Sequence, residues 1–188
     1  MFNKINVLHI VAGDLNQGAA RGAYWLHKGL ISNGVNSIML NNGKLAGESY
    51  ESIININDFS YVSKKINFLR SRLDIYFKKT YRNSRDEIFS TGLFGYDFLR
   101  LEAYKDADLV HLHWINGGLM NLSILNQIKK PIIWTIRDMW PFTGGCHYSL
   151  DCNRYMAECG NCFFLNSKKE KDLSTYLFNR KKKILENK

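Results

Sequence analysis

The feature that most constrains this chain is the rhythm of its opening, where two short apolar runs flank a glycine-bearing loop and a helical stretch. Ile5–Val11 is apolar and rich in β-branched residues without alternation, the pattern of a strand buried on both faces of a parallel sheet. Gly13, Asp14, Asn16 and Gly18 form the loop after it. Ala20, Ala23, Tyr24, Leu26, His27 and Leu30 then recur at helical spacing across Ala19–Asn33, and Gly34 stops the helix. Asn36–Leu40 is the second strand. A unit of this length brings the chain back parallel through a right-handed crossover.

The same alternation resumes after Asp106, with Leu109–His113 as strand, Leu122–Lys129 as helix and Pro131–Ile136 as strand. Alternating elements predict an α/β fold, a Rossmann-like parallel sheet flanked by helices, with ligands beyond the carboxyl ends of its strands. Gly13–Arg21, His111–Gly118 and Arg137–Tyr148 converge there. Between the two halves, residues 43–104 read as a helical insert: a helix from Phe59 to about Arg82, a loop over Asn83–Gly95 and a short helix at Leu99–Tyr104. Residues 137–165 hold Gly, Cys, Asp, Asn and aromatics without any period, and so long an irregular stretch signals function or a metal. Ser167 is placed to cap a last basic helix within 166–188, after a domain spanning 1–165.

A hydrophobic content of 45% excludes a disordered chain, and no apolar run reaches the roughly 18 residues of a membrane span. The N-terminus is too short and strand-like for an export signal, so a cytoplasmic location is expected. The net charge of +9 is unevenly spread. Residues 60–85 hold eight Lys/Arg against Asp74, residues 168–188 hold eight against three acids, and the remainder is slightly acidic. That distribution argues against a nucleic-acid partner. In 60–85, Lys64, Lys65, Arg70, Arg72, Lys78, Lys79 and Arg82 interleave with Ile66, Phe68, Leu69, Leu73, Tyr76 and Phe77. This suits a helix lying peripherally on an anionic membrane surface, here the inner face. A solvated helix packed by its apolar side is the plainer alternative.

Several residues stand out chemically. Gly18–Arg21 opens a helix, where unpaired N–H groups and the dipole favour a phosphate; an ordinary strand-to-helix turn has the same look. His111 and His113 point to one face at a strand end. With Asn116 they suit polar contact with a substrate, or they are satisfied histidines under a loop. Arg137 and Asp138 end the next strand as a charged pair on the same rim, either a site or an ion pair anchoring the loop. Cys146, Cys152, Cys159 and Cys162 fall in a C-x5-C-x6-C-x2-C pattern that fits a structural zinc. Reduced buried thiols remain open, and disulfides are disfavoured in the cytoplasm. His147 is a substitute ligand or a group facing the cleft.

Val7–Ile10 with Gly18–Tyr24 resembles the opening of family 4 glycosyltransferases. Asp108–Gly118 (DLVHLHWINGG) and Pro131–Tyr148 (PIIWTIRDMWPFTGGCHY) are similar to its bacterial surface-polysaccharide branch, which includes colanic-acid-type transferases. The resemblance implies the N-terminal half of a GT-B fold, which takes a glycan or lipid-linked sugar acceptor. A C-terminal domain binds the nucleotide-sugar, transfer retains anomeric configuration, and no catalytic metal is needed. It also implies cleft roles: Gly18 and Arg21 beside phosphate, with His113, Arg137 and Asp138 positioning the acceptor hydroxyl and holding charge on the departing diphosphate. His111, Asn116 and His147 would be substrate contacts. Lys188 falls where the family begins its second domain, so the donor domain is expected to be absent or supplied by a separate polypeptide, leaving the chain a poor transferase alone.

Two departures from the family count. Gln17 stands where a second loop glycine is usual, and Arg137 stands where a histidine is usual. Arginine holds phosphate or carboxylate but does not act as a base. The rival reading is a non-catalytic, zinc-stapled module for a glycan, lipid or protein, or a truncated inactive product.

Overall fold

The computed structural model describes residues 4–43, 52–82 and 84–188. The parts of the predicted insert at 44–51 and Asn83 lie outside the described residues. Five strands, β1 (Asn6–Val11), β2 (Asn36–Asn41), β3 (Ile53–Asn55), β4 (Leu109–Leu112) and β5 (Ile132–Trp134), form one parallel sheet in the order β3-β2-β1-β4-β5. The chain steps outward from β1 to β3 and then returns to the other side of β1. The strand order therefore reverses between β1 and β4, and a crevice opens beyond their carboxyl ends.

Both faces of β1 are buried, which is why its sequence does not alternate. Leu8 and Ile10 join Leu40, Val110 and Leu112 in the larger core, which Phe98, Leu122, Leu125 and Trp140 fill. Val11 and Met39 pack on the other face against Ala20 and Ala23 of α1 (Gly18–Ser32). The remaining helices are α2 (Tyr61–Lys79), α3 (Glu102–Lys105) and α4 (Leu173–Glu186).

The structure corrects three expectations. The insert is not wholly helical: Ile53–Asn55 adds a strand beside β2, and α2 is the crossover from β3 to β4. The segment after β4 is a 3-10 helix at Leu122–Gln127 rather than an α-helix to Lys129. Lys130 precedes Pro131 and is steered from helical torsions, so little chain remains for an α-helix. Asp172, not Ser167, caps the last helix. Its carboxylate accepts from Ser174 N at 2.8 Å, and Thr175 Oγ1 accepts from Asp172 N at 3.2 Å, a reciprocal box that Ser167 lacks.

Helix α2 is inside out. Its buried residues are polar, Asn67 and Asp74, while Tyr61, Val62, Phe68, Leu69 and Tyr76 are all more than half exposed. Hydrogen bonds seat it: Asn67 Nδ2 donates to Ile56 O at 2.9 Å, and Asp74 Oδ1 accepts from Thr91 N and Gly92 N, each at 2.9 Å. Among the described residues no helix is long and apolar enough to cross a membrane.

Candidate functional site

A cleft of about 600 Å³ opens beyond the carboxyl ends of β1, β4 and β5, with Gly18, Trp114, Arg137, Asp138, His147 and Tyr148 among its lining residues. Gly18 begins α1 with φ +48°, a conformation glycine adopts without strain. Gln17 before it is extended and makes no side-chain cap, and the first turn of α1 holds no acid. The opening amides thus lack a side-chain acceptor, while the helix dipole favours an anion beside them.

Arg137 leaves the end of β5 and crosses α1 at Gly22. A Cβ at Gly22 would stand 2.8 Å from Arg137 Nη1, so that glycine makes room for the guanidinium. Arg137 forms no ion pair among the described residues. The alternative of an Arg137–Asp138 ion pair is not realised, and Asp138 has other partners. Asp138 Oδ2 meets His147 Nδ1 at 2.5 Å and accepts from Trp114 Nε1 at 2.9 Å, while Oδ1 accepts from Trp140 N at 2.9 Å. Burial pushes the Asp138 carboxyl up, but the His147, Trp140 and Trp114 donors outweigh it and hold the group below the usual carboxylate range. His147 Nε2 in turn meets Ser90 Oγ at 3.0 Å. Both ring nitrogens and both carboxylate oxygens therefore have protein partners. The pair fixes the wall of the cleft.

His111 and His113 lie beneath α1 rather than in the cleft lining. They belong to a buried imidazole group with His9 of β1, the register partner of His111, and His27 of α1. His9 Nδ1 meets His113 Nε2 at 3.0 Å, His111 Nε2 meets Thr135 Oγ1 at 2.8 Å, and His27 Nδ1 meets Ser37 Oγ at 2.7 Å. Burial, then the neighbouring imidazoles, lower His9 and His113 to about 3, and burial lowers His27 to about 4, so all three are neutral at pH 7.

His9, His111 and His113 bring ring nitrogens within 4.8 Å of one another, close enough in principle for a metal. The His9 and His113 rings stack at 21°, and their unpartnered nitrogens, His9 Nε2 and His113 Nδ1, are the ones turned away from their mutual contact. Because both rings are neutral and one donates to the other, only one of those two nitrogens carries a lone pair. Asn116 is buried with no hydrogen-bond partner for Oδ1, and Arg21 stacks 4.5 Å over Trp25, outside the cleft lining. Of the sequence-derived residues, Gly18, Arg137, Asp138 and His147 meet in the cleft.

Next to that wall, Cys146, Cys152, Cys159 and Cys162 line one cavity of about 20 Å³. All four are free thiols. Burial pushes Cys146 up to about 11 and Cys159 up to about 12.

Sequence reasoning passed over Gly22, Ser90, Trp114 and His9. Gly22 carried a usable signal, a glycine one turn into a helix that opens on a glycine. Ser90 carried none, because it reaches His147 only through tertiary folding. No family model, curated protein or solved structure matches the chain.

Proposed function

We propose that this chain is the acceptor-side domain of a GT-B-type retaining glycosyltransferase, moving a hexose from a nucleotide-sugar to a glycan or lipid-linked acceptor in surface-polysaccharide assembly. The observation that carries the reading is the convergence, at the switch point of a Rossmann-like sheet, of an uncapped helix N-terminus and an unpaired arginine on one cleft. In this reading Arg137 and the first amides of α1 hold charge on the departing diphosphate. Asp138 and His147 keep the opposite wall in place so that the acceptor hydroxyl is presented in one orientation. His111 and His113 support β4 from beneath.

Donor affinity comes from a second Rossmann-like domain, on this polypeptide or another. Ile88 and Tyr148, 56% and 58% exposed at the cleft, give it an apolar rim that favours a docked domain over a self-contained binding module. The outward residues of α2, with Lys65 4.5 Å over Tyr61 and Arg72 4.9 Å over Phe68, suit a peripheral anionic membrane contact.

Calorimetric titration with pyrophosphate and nucleoside diphosphates tests the anion role. Wild type should bind weakly, and Arg137→Ala should weaken binding about tenfold, the loss of roughly 1.4 kcal/mol from a charge-assisted contact. No binding by wild type, or equal binding by the variant, sinks the reading. Transfer from a nucleotide-sugar should appear only when a donor domain is added.

A further inference from the structure

We propose that Cys146, Cys152, Cys159 and Cys162 bind one zinc ion as a closed tetrathiolate site, which pins residues 137–165 beside the cleft. Scattered over 17 residues of sequence, the four side chains reach a single cavity of about 20 Å³, room for one water-sized sphere or ion. Of the four, three are buried and Cys152 is half-buried. The set is all sulfur, the donor chemistry of structural zinc, and it leaves no open position for a substrate.

A tight turn borders the cavity. In the Cys159–Cys162 turn, Gly160 has φ +149° and a Cβ there would stand 1.9 Å from Glu170 O, while Asn161 adopts φ +43°. Both cysteines of that turn line the cavity. No three of the sulfurs lie within 4.8 Å of one another, so binding one ion requires the four side chains to close on the cavity.

Lys181 is a second, independent observation. It is 3% exposed, donates from Nζ to Trp140 O at 2.5 Å and sits 3.9 Å over the Trp140 ring. Among the described residues it forms no ion pair. A buried ammonium without a carboxylate partner is costly. Burial pushes the Lys181 ammonium down to about 7, and Cys146, Cys159, Asp138 and Asp74 oppose that shift. When four thiols lose their protons to one Zn²⁺, the centre carries a net charge of −2, and Lys181 then has its counter-charge. Because Cys146 directly precedes His147, and Gly145 O accepts from Ser90 N at 2.9 Å, the ion would also steady the histidine wall of the cleft.

This inference stands whether or not the chain handles sugars, and its test does not use activity. Full-length protein purified without chelator should hold about one zinc per chain by elemental analysis, released on titration of the thiols with a mercurial. Co²⁺ in place of Zn²⁺ should give the visible bands of a tetrahedral thiolate site. Cys152→Ser, at the least buried position, should keep the fold by circular dichroism yet lower Zn²⁺ affinity by at least tenfold and change the Co²⁺ spectrum. Substoichiometric zinc with four freely titrating thiols would overturn the proposal. So would a disulfide found by mass spectrometry, or an iron chromophore.

Discussion

The sheet and the segment at 137–165 solve the same problem by different means. In the sheet, Leu8, Ile10, Leu40, Val110 and Leu112 are all fully buried, and apolar area removed from water holds the strands together. In the irregular segment, order comes from polar anchors: Asp138 on His147, Trp114 and Trp140, with Thr143 Oγ1 donating to Cys146 O at 2.5 Å. A region held by area tolerates small changes of side chain. A region held by a few directed bonds fails when one is removed, because the partners left behind stay buried and unsatisfied.

Trp140 belongs to both regions, so its loss strains the comparison most. It is 1% exposed in the main core and donates from Nε1 to Ser90 O at 2.8 Å. Trp140→Ala should cost about 3–5 kcal/mol in urea unfolding. A cost near 1 kcal/mol would mean that the segment and the sheet fold independently. Asp74→Ala should be next, at about 1–3 kcal/mol, because the Thr91 and Gly92 amides lose their acceptor. Asp74→Asn keeps an acceptor and should cost less; equal losses would show that charge, not the hydrogen bonds, seats α2.

The imidazole group adds a pH dependence to the sheet. His9 and His113 fold with values of about 3 and His27 with about 4, below the ordinary value of about 6.5. Their contribution to stability is complete above pH 6.5. As pH falls towards 3, the unfolded chain takes up protons that the folded chain refuses, and stability drops by on the order of 1 kcal/mol per pH unit for each histidine. Urea midpoints measured between pH 7 and 5 should fall steadily, and His27→Asn should flatten the slope. The smallest effect belongs to Arg137→Ala, within about 0.5 kcal/mol of wild type in stability, since the guanidinium has no ion pair to lose. A larger loss would mean that it braces α1 at Gly22.

What could be read beforehand follows the same division. Strands β1, β2, β4 and β5 and helix α1 were legible because their apolar periodicity is local and their lengths are ordinary. β3 was not, since three residues of strand carry too little pattern to separate from loop. The rim positions of Gly18, Arg137 and Asp138 followed from strand ends alone. The pairing of Asp138 with His147 did not, because eight residues of aperiodic chain lie between them and the choice of partner is made by tertiary packing. Cap choice sits between these cases. Ser167 and Asp172 are both good cap residues, and Asp172 prevails because Thr175 returns its hydrogen bond.

The inside-out helix has a consequence for how this molecule finds its work. Because α2 is seated through Asn67 and Asp74, its aromatic and basic side chains can be committed to an outside contact without loosening the fold. A protein so built can adhere while remaining native. Were α2 to rest on an anionic membrane as proposed, the search for a partner would run across a plane rather than through a volume, and encounters would depend on how densely that plane is populated more than on the bulk concentration of either molecule.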